Sequence, residues 1–372
     1  MESYRDVIFG IVIMACAGLL SFVSTPIVRV LAYKLKAVDV PKDNRRMHKE
    51  PIPRMGGLAI FIGFLVTALI FCNINRQLAG VIIGAAVIVI LGILDDIYAL
   101  PAIPKLLIQI VAACIPSLFG VTIEHVSILG ANYITFGAWS IPVTVLWVVA
   151  ITNAVNLIDG LDGLACGVST ISAFSILVFT LLSPVVDFNV ALLTAVLAGA
   201  CLGFLPFNSN PARIFMGDTG ALFLGFMLAN ISVMGFFKTN AVISFVTPFL
   251  ILGLPLIDTI AAIFRRLLKG QSPFHPDRGH LHHKLIDIGF SQKQSVTILY
   301  ALSALMGIAG IICTAEKLLS AAILLVIVIV LGALNWTIFK GNSELREHTG
   351  LKMKEPKLSE EPVEDKADKK ED

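Results

Sequence analysis

The run LAGVIIGAAVIVILGILDD, residues 78–96, decides the class of this chain. From Leu78 to Leu94 it carries no charged or amide side chain, and it closes on the adjacent carboxylates Asp95 and Asp96. A helix needs about 20 mostly apolar residues to cross the hydrocarbon core of a bilayer, so the run reads as a span that delivers two acids to its end. Similar runs recur on both sides of it, at Val7–Val23, Leu58–Phe71, Leu106–Phe119, Ile141–Asn156, Leu164–Leu182, Val190–Pro206, Ala221–Phe237, Val242–Phe264, Val296–Thr314 and Leu318–Phe339. The pattern predicts an all-α, polytopic integral membrane protein of about eleven transmembrane helices. Composition agrees: of 372 residues 56% are hydrophobic and only 15% charged, with mean hydropathy +0.86, against about 25% charged in soluble domains. An ordinary cytosolic enzyme, a disordered chain and a nucleic-acid binder are excluded. The six cysteines lie singly in apolar stretches, which indicates neither a disulfide framework nor a thiolate zinc site.

Lysine and arginine mark the cytoplasmic connections of such a protein. The first connection carries Arg29, Lys34, Lys36, Lys42, Arg45, Arg46, Lys49 and Arg54, and the connection after the ninth span carries Arg265, Arg266, Lys269, Arg278, Lys284 and Lys293. The opposite side has only Arg5, Arg76, Lys238 and Lys317. The expected topology has the N-terminus outside and the C-terminus cytoplasmic. The first span has neither a positive leading segment nor a small-x-small cleavage site and reads as uncleaved. Beyond residue 340 the chain alternates Lys with Glu and Asp and has almost nothing apolar to bury. We therefore expect a membrane domain over 1–340 and a charged, disordered cytoplasmic tail over 341–372.

The unusual polar residues gather on the basic side. Asp95 and Asp96 close the third span. Asn153, Asn156, Asp159 and Asp162 end the fifth and fill the connection to the sixth. Asp218 precedes the eighth, and His280, His282 and His283 lie in the last basic connection. Ionisable groups at membrane depth are functional candidates, and a one-sided set describes a reaction centre at one face rather than a pathway through the bilayer. In NAVNLIDGLDG, residues 153–163, the two amides are three apart and share a helix face, and two glycines loosen the backbone as the acids appear. Amide and carboxylate oxygens suit Mg²⁺ or Mn²⁺; a polar helix cap is the plainer alternative. In FMGDTG, residues 215–220, Asp218 reads as a helix cap, a metal ligand or both, and the positive helix end beside it favours a phosphate. Asp95 and Asp96 repel each other unless a metal, a base or a proton relieves them. Lys105 reads as a point charge for phosphate or as a topological anchor. HLHH, residues 280–283, reads as a metal cluster, a proton relay or an anion patch, with Arg278 and Lys284 alongside favouring phosphate.

Taken in order, these motifs resemble the polyprenyl-phosphate N-acetylhexosamine-1-phosphate transferases, from about Val23 to the final span. Within that family the HLHH loop, PFNSNPA at 206–212 and HKEPIPRMGG at 48–57 look like the branch that uses UDP-N-acetylglucosamine. The branch using UDP-N-acetylmuramoyl-pentapeptide typically has three consecutive histidines. The resemblance implies transfer of N-acetylglucosamine 1-phosphate from UDP-N-acetylglucosamine to undecaprenyl phosphate, releasing UMP. It implies Mg²⁺, with Mn²⁺ able to substitute, held by Asp218 and Asn156. Asp95, Asp96, Asp159 and Asp162 would be catalytic, the first pair where the lipid phosphate arrives and the second at the nucleotide. Lys105, Asn153, His48, Arg278, His280, His282 and His283 would bind substrate. The implied location is the plasma membrane with the active site on the cytoplasmic face, at the start of a cell-surface polysaccharide or wall teichoic acid pathway. The partners are the two substrates and the bilayer, with no nucleic acid and a homodimer left open. The pentapeptide donor is the alternative within the family. A secondary transporter would place charges near the midplane, and an intramembrane aspartyl protease would not need the amides or the histidine loop.

Overall fold

The computed structural model describes residues 2–40, 51–127, 133–183, 187–236, 246–268, 270 and 279–312, all within the compact unit Met1–Leu325. In chain order the elements are α1 (Glu2–Lys34), the short antiparallel pair β1 (Val38–Asp39) and β2 (Ile52–Pro53), then α2 (Gly57–Phe71), α3 (Arg76–Tyr98) and α4 (Ala102–Leu118). A second small hairpin follows, β3 (His125–Ser127) and β4 (Tyr133–Thr135). Then come α5 (Ser140–Ile158), α6 (Leu164–Leu182), α7 (Phe188–Asn208), α8 (Gly217–Gly235), α9 (Val246–Ile251), α10 (Gly253–Leu268), α11 (Leu281–Ile288) and α12 (Gln292–Ile312).

Among the described residues seven helices are long and apolar enough to cross a membrane, and α2 and α4 are shorter apolar helices. The chain is therefore a predominantly helical, multi-pass membrane protein. Two expected spans need comment. The expected eleventh span and the tail lie outside the described residues, as do 242–245 of the ninth. The described part of the ninth is not one helix but two, α9 and α10. Pro255 has no N–H to offer the Ile251 carbonyl, which breaks the ladder; Ser172 Oγ of α6 donates to that carbonyl instead, at 3.0 Å. A neighbouring hydroxyl is the usual way a membrane protein satisfies a carbonyl released by proline.

Helix α8 is the hub. Its side chains from Thr219 to Met234 are buried without interruption, so it is apolar on every face and packs against other helices all round. Phe223 meets Phe64 of α2 edge-on at 5.5 Å between ring centres, and Ser232 Oγ accepts the Trp147 indole N–H of α5 at 3.0 Å. Lipid-type exposure falls elsewhere: Ile8, Leu19, Val23 and Ile27 of α1 are each more than half exposed. The backbones of α2 and α8 nearly touch, because a Cβ on Gly57 would overlap Gly220.

The β1–β2 hairpin docks onto the segment leading into α8. Phe215 N donates to Pro53 O at 2.8 Å, Gly56 N to Phe215 O at 2.9 Å and Gly57 N to Met216 O at 2.9 Å. The C-terminal ends of α3, α5 and α7 and the N-terminal ends of α4, α6 and α8 therefore share one end of the bundle, with α11 beside them.

Candidate active site

A cavity of about 520 Å³ opens at that end. Asn156 and Asp159 reach it from the end of α5, Asp162 from the α5–α6 connection, Asp218 from the first turn of α8, and His283 from α11. The hairpin contributes Asp39 and Arg54, and Asn208, Asp287 and Gln292 complete its polar lining. Motifs far apart in sequence thus meet at one place.

Asp218 is the centre of the arrangement. Its Oδ1 accepts Lys105 Nζ at 2.8 Å and Asn156 Nδ2 at 2.6 Å. Lys105, with its side chain 16% exposed, also pairs with Asp95. The ammonium ties the end of α3 to the start of α8. Asp162 is fixed from the other direction: its Oδ2 accepts Asn210 Nδ2 at 2.9 Å and Ala212 N at 3.0 Å. Burial and the nearby carboxylates of Asp218 and Asp96 push Asp159 up to about 8, with Arg54 pulling the other way. A cation bound among these carboxylates would bring it down again.

Six described residues singled out from the sequence do not line the cavity, and one of them, Lys105, meets it only through Asp218. Asp96 caps α8 from a neighbouring helix: its Oδ1 accepts Asp218 N at 2.9 Å, and its Oδ2 accepts Thr219 N at 3.1 Å and Thr219 Oγ1 at 2.6 Å. Gly217 permits that approach, since it has φ +71° and a Cβ there would stand 2.5 Å from Asp96 Oδ2. Asp95 holds Lys105 and accepts Leu100 N at 2.8 Å. Both carboxylates are 7% exposed. Their place is behind Asp218, holding the helix end and outside the cavity lining. The expected repulsion between them is relieved because each faces a different helix. Asn153 is likewise turned away, joining α5 to α4 through Nδ2 to Gln109 Oε1 at 2.6 Å.

The histidine loop also divides. His280 and His282 are 5% and 3% exposed, so of the three only His283 is placed to meet a soluble ligand. His280 Nδ1 lies 2.8 Å from Asp258 Oδ2, whose Oδ1 accepts Leu281 N at 2.9 Å. Asp258 of α10 therefore caps α11 just as Asp96 caps α8. His282 stacks on His280, with ring planes 10° apart, and touches His283 at 4.2 Å between centres. Gly160 lets the α5–α6 connection lie against His282, because a Cβ there would overlap the imidazole. Burial, reinforced by the neighbouring His283, drives His282 down to about 3, so it is neutral and unsuited to gripping an anion. His48 and Arg278 lie outside the described residues.

Asp39, Arg54 and Asp258 carry structure or charge here and escaped the sequence reading. Arg54 stood among the basic residues of the first connection and within the HKEPIPRMGG motif, but no role was read from it. Asp258, an acid within an expected span, carries the signal that singles out intramembrane carboxylates.

The donor set suits a hard divalent cation. Among the described residues no three His, Cys, Asp or Glu side chains converge as a metal cage. Mg²⁺ does not need one: it usually takes one or two carboxylates and completes its shell with water and substrate phosphates. The carboxylate of Asp218 meets that requirement, and Asn156 steadies it by donating its amide N–H to Oδ1.

Residues 78–236 match the model of glycosyl transferase family 4. The chain is 41% identical over 309 residues to the probable undecaprenyl-phosphate N-acetylglucosaminyl 1-phosphate transferase of Bacillus subtilis, covering 82% of this chain and 85% of that one. It is 38% identical to the decaprenyl-phosphate N-acetylglucosaminephosphotransferase of Mycolicibacterium smegmatis, covering 76% and 77%. It is 32% identical to the undecaprenyl-phosphate alpha-N-acetylglucosaminyl 1-phosphate transferase of Escherichia coli K12, covering 76% and 78%. The chain belongs to glycosyl transferase family 4 and is a membrane transferase.

Proposed function

We propose, starting from that membership, that the chain transfers N-acetylglucosamine 1-phosphate from UDP-N-acetylglucosamine to undecaprenyl phosphate at the cytoplasmic face of the plasma membrane. The observation that carries the reading is the Lys105–Asp218–Asn156 cluster, whose Asp218 and Asn156 line a polar cavity at one end of an apolar helix bundle. Such a site lets a lipid keep its tail in the bilayer and its phosphate at the surface, while a soluble nucleotide sugar enters from water.

In the reaction an oxygen of the lipid phosphate attacks the β-phosphorus of the donor. The bond from that phosphorus to the bridging oxygen breaks, and UMP leaves with the bridging oxygen and its electron pair. The attacking oxygen is already ionised at neutral pH, which favours direct displacement over a covalent enzyme intermediate and makes a general base dispensable. Catalysis then rests on positioning and charge neutralisation. Lys105 holds Asp218 in place and lends positive charge to the site. Asp159 and Asp162 shape the nucleotide side of the cavity, and His283 offers an imidazole to the donor. Asp218 and Asn156 would hold Mg²⁺, which when bound supplies positive charge to the transferring phosphates. The product is a lipid-linked sugar diphosphate of the kind that primes a surface polymer.

The test is UMP release by the purified protein given undecaprenyl phosphate, Mg²⁺ and a panel of UDP-sugars. We expect release with UDP-N-acetylglucosamine that stops without lipid phosphate or with chelator. Release only with UDP-N-acetylmuramoyl-pentapeptide would reassign the donor. No release with any donor would defeat the reading. For sidedness, a cysteine at Gln271 in a cysteine-free background should resist an impermeant reagent in intact cells; rapid labelling would invert the topology.

A further inference from the structure

The cavity poses a charge problem that the sequence motifs do not solve. Five carboxylates line it, those of Asp39, Asp159, Asp162, Asp218 and Asp287, yet under the reading above its ligand is a nucleoside diphosphate. Among the described lining residues Arg54 alone carries a permanent positive charge. Its backbone is pinned on both sides: Arg54 N donates to Ala37 O at 2.9 Å, and the flanking Pro53 and Gly56 bond to Phe215. The hairpin therefore holds Arg54 in register with the segment that carries Asp218. Among the described residues its guanidinium makes one side-chain bond, from Nη2 to Asp39 Oδ1 at 3.0 Å, with side-chain exposures of 37% for Arg54 and 11% for Asp39. A guanidinium has five N–H donors in a planar fork, and one monodentate bond leaves most of them for the cavity. That fork matches two oxygens of a phosphate, which a lysine ammonium cannot do.

We propose that Arg54 is a further donor-binding residue, taking a phosphate of the nucleoside diphosphate through its fork, and that Asp39 is the positioning residue that aims it. The inference rests on the proposed donor chemistry but assigns residues that chemistry alone does not. Arg54 then offsets the carboxylate excess on the side of the cavity remote from Lys105 in sequence, and Asp39 restricts the rotamers of a long side chain before the ligand arrives, which lowers the entropy cost of binding.

Binding of uridine, UMP and UDP to the purified protein tests this, with Arg54→Gln, Arg54→Lys and Asp39→Asn beside the wild type. Arg54→Gln should weaken UDP roughly ten- to a hundredfold, the loss expected for charge-assisted contacts, and leave uridine within about twofold. Arg54→Lys keeps the charge but not the fork, and should recover only part of the loss. Asp39→Asn should weaken UDP less than Arg54→Gln. In turnover the KM for the UDP-sugar should rise in all three while the KM for lipid phosphate holds. If wild type binds UDP but Arg54→Gln binds it equally well, the inference falls and the proposed function stands. If the variants weaken uridine, UDP and lipid phosphate alike, Arg54 merely supports the hairpin, and the inference again falls. A wild type that neither binds UDP nor releases UMP would overturn the proposed function as well.

Discussion

Asp96→Asn separates a helix-capping carboxylate from a chemical one. The native side chain accepts three hydrogen bonds from the start of α8, at 2.9, 3.1 and 2.6 Å. A carboxamide has one oxygen. If that oxygen keeps Asp218 N–H, the amide nitrogen faces Thr219 N–H donor to donor, although the Thr219 hydroxyl can turn to accept. One charge-assisted bond is then lost outright, about 1.5–3 kcal/mol. The negative charge at the N-terminus of α8 is lost too, about 0.3–1 kcal/mol and up to about 2 in a partly buried geometry. The variant should therefore be destabilised by about 2–5 kcal/mol. Because the freed backbone belongs to Asp218 and Thr219, turnover should fall along with stability. The assay pairs thermal denaturation in detergent with UMP release from pH 6 to 9. We expect a lower midpoint, a lower kcat and an unchanged shape of the pH profile. An unchanged midpoint with turnover abolished, or loss of one limb of the profile, would refute the capping argument and make Asp96 a proton acceptor.

Three further outcomes follow from the same geometry. Asp218→Asn should cut UMP release by two orders of magnitude or more and raise the Mg²⁺ concentration needed for half-maximal rate, while the denaturation midpoint moves little; near-normal activity at limiting Mg²⁺ would remove Asp218 as a metal ligand. Gly57→Ala forces a methyl into the backbone of Gly220 on α8; neither backbone can yield, so destabilisation should reach or exceed the roughly 1–3 kcal/mol of ordinary overpacking, read as a lower midpoint, and a normal midpoint would show that the helices can separate. His282 lies near 3 in the folded protein against an ordinary value of 6.5. Only the unfolded chain takes up that proton in between, so this stability is full above pH 6.5 and is lost as pH falls toward 3. His282→Gln should flatten the acid slope of the denaturation midpoint, and an unchanged slope would place the titrating group elsewhere.

The sequence by itself determined the class of the protein and the end of the bundle where its chemistry gathers. Both are local properties: span length and apolarity are set residue by residue, and the acids and amides stand beside the span ends in the chain itself. The runs 78–96, 153–163 and 215–220 therefore showed in advance that acids and amides sit at helix ends. It also singled out Asn156 and Asp218, and the structure joins them by a hydrogen bond from the Asn156 amide nitrogen to Asp218 Oδ1. Only the tertiary structure decided which of those groups face the cavity. Asp96 and Asp218 are 122 residues apart, and their relation depends on how α3 packs against α8. A helix buried on every face has no polar stripe to fix its rotation, so no periodicity in the sequence predicts which neighbour its end will meet. The same reason hid the division of the histidine loop. HLHH looks like three equivalent ligands, but Asp258 on α10 caps the loop helix, sinks His280 and His282, and turns only His283 to the cavity. Arg54 was one positive charge among eight in its connection until a two-residue strand pair and three backbone hydrogen bonds carried it to the edge of the site. Apolar length is written in the chain one residue at a time, whereas the partner of a buried polar group is fixed only when two helices have chosen their mutual rotation.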